Sequence, residues 1–102
     1  MKTLTTLLAA GALVLGANAA LARDIDSTEA RTLQDNGTIQ TTDKLTQAAL
    51  AAHPGATITD TELENEYGKY IYKVELRDKA GVEWDLELDA VTGQVYKNHQ
   101  DN

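Results

Sequence analysis

The most informative absence in this sequence is that of cysteine. The chain of 102 residues has no cysteine, no phenylalanine, one proline and one tryptophan. Without cysteine it can form no disulfide, bind no metal through thiolate sulfur, use no thiol nucleophile and carry no lipid on a thiol. Small domains that work outside the cell often depend on disulfides, so this chain must build an efficient core from aliphatic side chains instead.

Side chains suited to catalysis are also scarce. The chain has one serine, Ser27, and two histidines, His53 and His99. Ser27 is placed to cap a helix, His53 lies at a predicted helix end, and His99 lies near the carboxyl terminus. There is no phosphate-binding glycine loop and no His-Glu-x-x-His motif. We therefore expect a protein that is not an enzyme, with no catalytic residues and no cofactor.

Positive charge is in short supply. The chain has 9 basic and 16 acidic residues, which gives a net charge of −7. Such a chain is repelled by nucleic acid and by anionic membrane surfaces. Its electrostatics favour a basic protein partner or a divalent cation.

The amino terminus resembles a signal peptide. Lys2 supplies a positive start, an apolar run covers residues 7–17, and small-x-small sites follow at residues 17–19 and 20–22. The apolar run is too short for a transmembrane helix. We expect cleavage after residue 22, a periplasmic or secreted protein, and no stable membrane anchor once the signal peptide 1–22 is removed.

Two helices are predicted next. In the leader, residues 23–40, Ser27 can cap a short helix that Gly37 ends. A clearer helix follows Thr42 as its cap, and Pro54 and Gly55 end it. Its apolar stripe repeats at helical spacing. The stripe consists of Leu45, Ala48, Ala49 and Ala52.

After Ala56 the hydrophobic period changes from 3.6 to 2. Strands are predicted at residues 57–64, 70–77, 82–89 and 94–97, and the polar composition of the first suggests an edge position. Two strands alternate cleanly and give one dry face. That face carries Tyr70, Tyr72, Val74 and Leu76 from one strand and Val82, Trp84, Leu86 and Leu88 from the other. The sequence thus predicts an α+β domain with one main helix, plus a short N-terminal helix, on a small antiparallel sheet of three to four strands.

The turn between the two alternating strands predicts their register. Asp78 at its first position and Gly81 at its fourth suit a type I turn followed by a glycine bulge. Closing the turn in this way pairs Leu76 with Trp84 and Arg77 with Glu83. The same register pairs Val74 with Leu86, Tyr72 with Leu88, Lys73 with Glu87 and Glu75 with Asp85.

Four segments resemble the PepSY family when they are read in order. They are residues 53–55 (HPG), 61–64 (TELE), 68–76 (GKYIYKVEL) and 88–95 (LDAVTGQV), the last of which is similar to the family's closing D-x-x-T-G-x-V signature. The resemblance implies a PepSY-like domain over residues 41–98, followed by a tail, 99–102. It also implies a helix packed on a small antiparallel sheet, a secreted or periplasmic setting, and a role in restraining peptidases. No peptidase domain is attached, so inhibition is expected to act in trans on a secreted peptidase.

The acidic face of the sheet is the expected contact surface. Alternation places on it Ile71, Lys73, Glu75, Glu83, Asp85, Glu87 and Asp89. The alternative is a periplasmic protein that binds divalent cations through the carboxylates of this face. A strand spaces alternate side chains by about 7 Å, and no calcium-loop motif is present, so we expect no metal ligands and favour the protein partner.

Overall fold

Residues 22–101, which are described by a computed structural model, form two helices and five strands. The elements are β1 (Arg23–Asp24), α1 (Ser27–Asp35), α2 (Thr42–Ala52), β2 (Thr57–Glu66), β3 (Lys69–Arg77), β4 (Glu83–Asp89) and β5 (Val95–Asp101). The strands make one antiparallel sheet in the order β1-β2-β3-β4-β5. The α+β class is confirmed. The expected signal peptide lies outside the described residues except for its last, Ala22.

The sheet has five strands where the sequence predicted three to four, because the leader contributes one. β1 pairs with residues 64–65 of β2, and the Ile25 N–H donates to the Leu63 carbonyl at 2.9 Å. A strand of two residues has no alternation that could reveal it. Within residues 22–101, no helix combines the length and the apolar character needed to cross a membrane.

Both helices are capped by the residue before the predicted cap. The Asp26 carboxylate caps α1 by accepting from the Glu29 N–H at 2.8 Å, so Ser27 is the first helical residue. Thr41 caps α2, where Thr42 was expected. Each site has two adjacent residues able to cap, and sequence alone does not choose between them.

The end of α2 is confirmed at His53-Pro54-Gly55. His53 is the carboxyl-terminal cap, with its N–H donating to the Leu50 carbonyl at 3.1 Å. Gly55 has φ +84°, a left-handed conformation that suits glycine. A Cβ at this position would also collide with the side chain of Lys79 in the β3–β4 turn.

The predicted register of β3 and β4 is confirmed at every pair. The turn closes with the Gly81 N–H donating to the Asp78 carbonyl at 2.9 Å and the Asp78 N–H donating to the Val82 carbonyl at 2.9 Å. Gly81 has φ +83°. The Asp78 carboxylate adds three bonds of its own, from the N–H groups of Ala80 and Val82 and from the Trp84 indole N–H at 3.0 Å.

The other strand ends differ from the predicted ones. β2 and β3 are joined by a two-residue turn in which Tyr67 (φ +57°) and Gly68 (φ +88°) are both left-handed. Two such residues form the primed turn that matches the twist of a hairpin. β2 therefore reaches Glu66, beyond its predicted end at Glu64. β5 was predicted over residues 94–97 and runs on through residues treated as a tail, to Asp101.

The core lies between the two helices and the inner face of the sheet. From α2 it takes Leu45 and Ala49, while Ala48 is half-buried and Ala52 exposed. Trp84, predicted on the dry face of the sheet, lies on that face but is only half-buried, with its ring centroid 4.4 Å from that of His53. The buried cluster comprises Ile25, Ile39, Leu45, Ala49, Leu63, Tyr72, Val74, Leu76, Leu86, Leu88 and Ala90.

Truncation at the centre of this core tests the assignment of faces. Leu86 is 1% exposed, so Leu86→Ala should lower the free energy of unfolding by about 2–5 kcal/mol. A domain of this size has only about 5 kcal/mol in total, so the variant should be largely unfolded in urea melts. Val91→Ala is a matched control, because Val91 is 50% exposed and its loss should cost less than about 0.5 kcal/mol. Equal midpoints for the two variants would contradict the assignment.

Candidate functional site

The surface of the sheet that faces away from both helices carries most of the charge, and we call it the outer face. The register places eleven carboxylates but only four basic side chains on it. The acids are Asp24, Asp60, Glu62, Glu64, Glu66, Glu75, Glu83, Asp85, Glu87, Asp89 and Asp101; the bases are Lys69, Lys73, Arg77 and Lys97. The negative charge of the protein is thus concentrated on one side of a single layer.

In one half of the outer face, ion pairs across strands compensate part of the negative charge. The Lys73 ammonium lies 3.1 Å from Glu64 Oε1 and 3.7 Å from Glu66 Oε2. Partial burial acts to raise the pKa of Glu64, but hydrogen bonds with Glu66 and Lys73 hold it below the ordinary value. The hydrogen bond to Glu64, followed by burial, raises the pKa of Glu66. Lys97 lies 3.6 Å from Glu87 in the same half.

The other half contains a row of carboxylates without a basic residue between them. Asp60 in β2, Glu75 in β3 and Asp85 in β4 lie side by side, and His99 follows in β5. Loss of hydration, followed by repulsion from Asp85 and Asp60, raises the pKa of Glu75. No ion pair within residues 22–101 reaches these three acids, so their negative field is uncompensated in the described part of the chain.

A shallow depression joins the two halves of the outer face. Its volume is about 250 Å³, and charged groups from all four longer strands line it, including Glu62, Lys73, Asp85 and Lys97. Charged walls and an open mouth suit a polar protein surface better than an apolar small molecule.

The residues expected to form a contact surface do share this face, with one correction. Ile71 has outward register between Glu64 and Asp89, but it is only 5% exposed and cannot contact a partner. Alternation gives the face of a residue but not its exposure, because long neighbouring side chains can cover a smaller one. Asp89 is also engaged, since its carboxylate accepts from the Val91 N–H at 2.8 Å.

A second acidic group, missed by sequence reasoning, lies at the β1 end of the face. Carboxylate oxygens of Asp24, Glu62 and Glu64 all lie within 4.8 Å of one another. Oxygen donors at such spacing could approach a divalent cation. These are not the acids first considered for cations, because only the pairing of β1 with β2 brings Asp24 here. Lys73 already supplies a cation to Glu64, so the group is compensated in part without an ion.

The histidines do not converge on a catalytic arrangement. His53 Nε2 lies 2.8 Å from Asn98 Oδ1, and its ring contacts Trp84, on the side of the sheet that faces the helices. His99 lies on the outer face opposite Asp85. Ser27 is the first residue of α1. These groups have separate structural positions, with the two histidines on opposite faces.

The row of uncompensated acids predicts a gain in stability on neutralising Glu75. A raised pKa in the folded state means that ionised Glu75 destabilises the fold, fully so above the folded pKa. This destabilisation disappears as pH falls below 4.5, the ordinary pKa of a glutamate. There Glu75 is protonated in both the folded and the unfolded state. Glu75→Gln should therefore raise Tm at about pH 7 and leave it unchanged at about pH 3.

Thermal melts of Glu83→Gln provide the matched control. Glu83 is paired with Arg77 on the same face, so the same neutralisation should not raise Tm. If Glu75→Gln melts at or below the temperature of the native protein at neutral pH, the row carries no unfavourable charge.

Comparison with known proteins agrees with the architecture. A family model described as "PepSY: Peptidase propeptide and YPEB domain" matches residues 39–98. The chain is 35% identical over 48 residues to the "Uncharacterized protein YkoJ" of Bacillus subtilis (strain 168). That alignment covers 47% of this chain and 28% of the relative. No solved structure matches the chain. The family model covers more than half of the chain, which therefore belongs to the PepSY family.

Proposed function

We propose that this chain is a secreted, non-catalytic PepSY module that binds a peptidase or its precursor through the outer face and restrains it in trans. The family supports a peptidase-associated, non-catalytic module. The observation that carries the proposal is the row of Asp60, Glu75 and Asp85, which lacks a basic counterpart. Such a surface attracts a basic patch on a partner and increases the rate of encounter with it.

The physical basis of restraint is contact without turnover. When basic groups of a partner contact the acidic row, they offset the repulsion among Asp60, Glu75 and Asp85. Binding therefore relieves an unfavourable electrostatic energy that is already present in the free domain. The arrangement of the histidines and of Ser27 offers no convergent nucleophile and base. The family and the apolar amino-terminal run both support a periplasmic or secreted location.

Cation binding is the second candidate, favoured by the carboxylates of Asp24, Glu62 and Glu64 within 4.8 Å. Two observations weigh against it. Lys73 already lies 3.1 Å from Glu64 Oε1, and Asp24 and Glu62 are exposed on a strand surface where water competes with them. A calcium site normally gathers six to eight oxygens, more than this group supplies.

Charge reversal on the acidic row tests the proposed function. In Asp60→Lys/Asp85→Lys, Glu75 lies between two lysines, so the fold should melt at or above the native temperature. The change removes two negative charges and adds two positive ones, and each of these four charge units is worth about 0.4 kcal/mol against a unit charge at 10 Å in water. Affinity for the peptidase should fall about tenfold or more at low salt and lose most of its salt dependence.

The measurement is binding and inhibition against a panel of purified extracellular peptidases and their zymogens. Asp35→Lys/Asp43→Lys is the matched control, since it makes the same charge change on the helices, away from the outer face. If both double variants lose affinity equally, the net charge of the domain explains the loss and the position of the charges does not. Unchanged binding by Asp60→Lys/Asp85→Lys would refute the outer face as the contact, and binding abolished by a chelator would favour the cation.

A further inference from the structure

The outer edge of β2 is covered along only part of its length. β1 lies beside residues 64–65, and Ile25 donates its N–H to the Leu63 carbonyl at 2.9 Å. The chain then turns away at Asp26, which caps α1. Beyond Leu63, no strand of residues 22–101 lies next to this edge. Residues 60–62 of β2 are therefore paired on the β3 side alone, and a bulge at Thr59 interrupts the pairing before Ile58.

The direction of the free backbone groups follows from the Leu63 bond. In an antiparallel strand the N–H and C=O of one residue point to the same side, and the side alternates along the chain. The Leu63 carbonyl faces β1, so the backbone groups of Thr61 face the same way, where no strand is present in the described part of the chain. Those of Glu62 face Lys73 in β3. The edge thus offers hydrogen-bonding groups to an added strand.

A groove of mixed character runs beside this edge on the side of the helices. It has a volume of about 560 Å³, and its walls combine the apolar side chains of Ile25, Ala30 and Leu63 with polar ones that include Thr42, Thr46 and Glu62. Ile25 itself shows how an added strand uses the space, because it bonds to the edge through its backbone and is only 8% exposed. A partner residue in the same orientation would place an apolar side chain in the groove.

The opposite side of the edge is acidic. β2 contains no basic residue, and Asp60 and Glu62 lie on its outer face beside Asp24 of β1. An added strand alternates its side chains between the two sides. A segment with apolar residues toward the groove and lysine or arginine toward the outer face matches both surfaces.

We propose that residues 60–62 of β2, between β1 and the bulge at Thr59, accept an extended basic segment of the partner as an additional antiparallel strand, in line with β1. This inference rests on the proposed function and names the part of the partner that is recognised. Backbone hydrogen bonds supply affinity, and the alternation of apolar and basic side chains supplies specificity.

Charge disfavours a second copy of this chain at the β2 edge, and composition disfavours strand addition at the β5 edge. A second copy paired through the same strand would bring Asp60 and Glu62 of each copy together on one face, and like charges opposite each other destabilise a sheet. At the far edge, β5 exposes every residue after Val95. It therefore lacks an apolar wall comparable to the one beside β2.

The test uses a blocked hexapeptide of alternating lysine and valine, titrated into the native domain and followed by amide chemical shifts. The amides of residues 60–62 should shift, with that of Thr61 changing most. Shifts confined to β4 and β5 would mean attraction to the outer face without strand addition and would overturn the inference. Absence of shifts at millimolar peptide would overturn it as well.

Two methylated forms of the peptide make the test specific to the backbone. The valines take the orientation of Ile25, so their N–H groups point at β2 and those of the lysines point to solvent. N-methylation of the valines should abolish binding, while N-methylation of the lysines should change the affinity less than about threefold. Equal effects of the two modifications would rule out an antiparallel strand in this register.

A protein variant tests the same bond from the other side. Thr61→Pro removes an N–H that faces away from β3, which an edge strand tolerates, and it should weaken peptide binding about tenfold. Thr61→Val keeps the N–H and should bind the peptide as the native domain does. Both Thr61 variants should have the Tm of the native domain. If Thr61→Pro binds the peptide normally while Asp60→Lys/Asp85→Lys loses the peptidase, the strand model fails and the proposed function stands.

Discussion

The carboxylate of Asp78 is the interaction on which the rest of the structure depends. It accepts hydrogen bonds from the Ala80 and Val82 N–H groups and from the Trp84 indole. The Trp84 bond, followed by the Val82 amide, lowers the pKa of Asp78 and so favours its ionised form. One side chain therefore fixes the turn between β3 and β4 and ties it to the first core pair, Leu76 with Trp84.

The register set by this turn separates the chemistry of the two faces. Because side chains alternate with a period of two, a slip by one residue would move every core residue of β3 to the outer face. In the observed register the aliphatic residues of β3 and β4 lie under α2, and the acids lie together on the other side. The repulsion in the row of Asp60, Glu75 and Asp85 is a consequence of packing the core well on the opposite face.

The most predictable part of the molecule was the β3–β4 hairpin, because alternation, turn composition and charge pairing indicated the same register. The α2 stripe and its end at Pro54 were predictable for similar reasons. β1 was not, since two residues show no period. The extension of β5 was also missed, because its residues after Val95 are polar on both sides and carry no alternating signal.

The candidate site was predicted less completely than the fold. Sequence placed the acids on one face, but it could not show that Ile71 is covered there or that Lys73 bonds to Glu64 and Glu66 instead of remaining available. It suggested an edge position for β2 without revealing that β1 occupies only part of that edge. Pairings between distant segments decide each of these features, and local patterns do not contain them.

Hydrogen exchange at two neighbouring amides tests the central claim about the sheet most directly, namely that β2 has one side bonded to β3 and, beyond Leu63, one open side. The Glu62 amide faces β3 and should be protected nearly as well as the amides of the β3–β4 hairpin. The Thr61 amide faces the open edge and should exchange close to the rate of an unstructured peptide. Strong protection of Thr61 in the isolated monomeric domain, or rapid exchange of Glu62, would contradict the account.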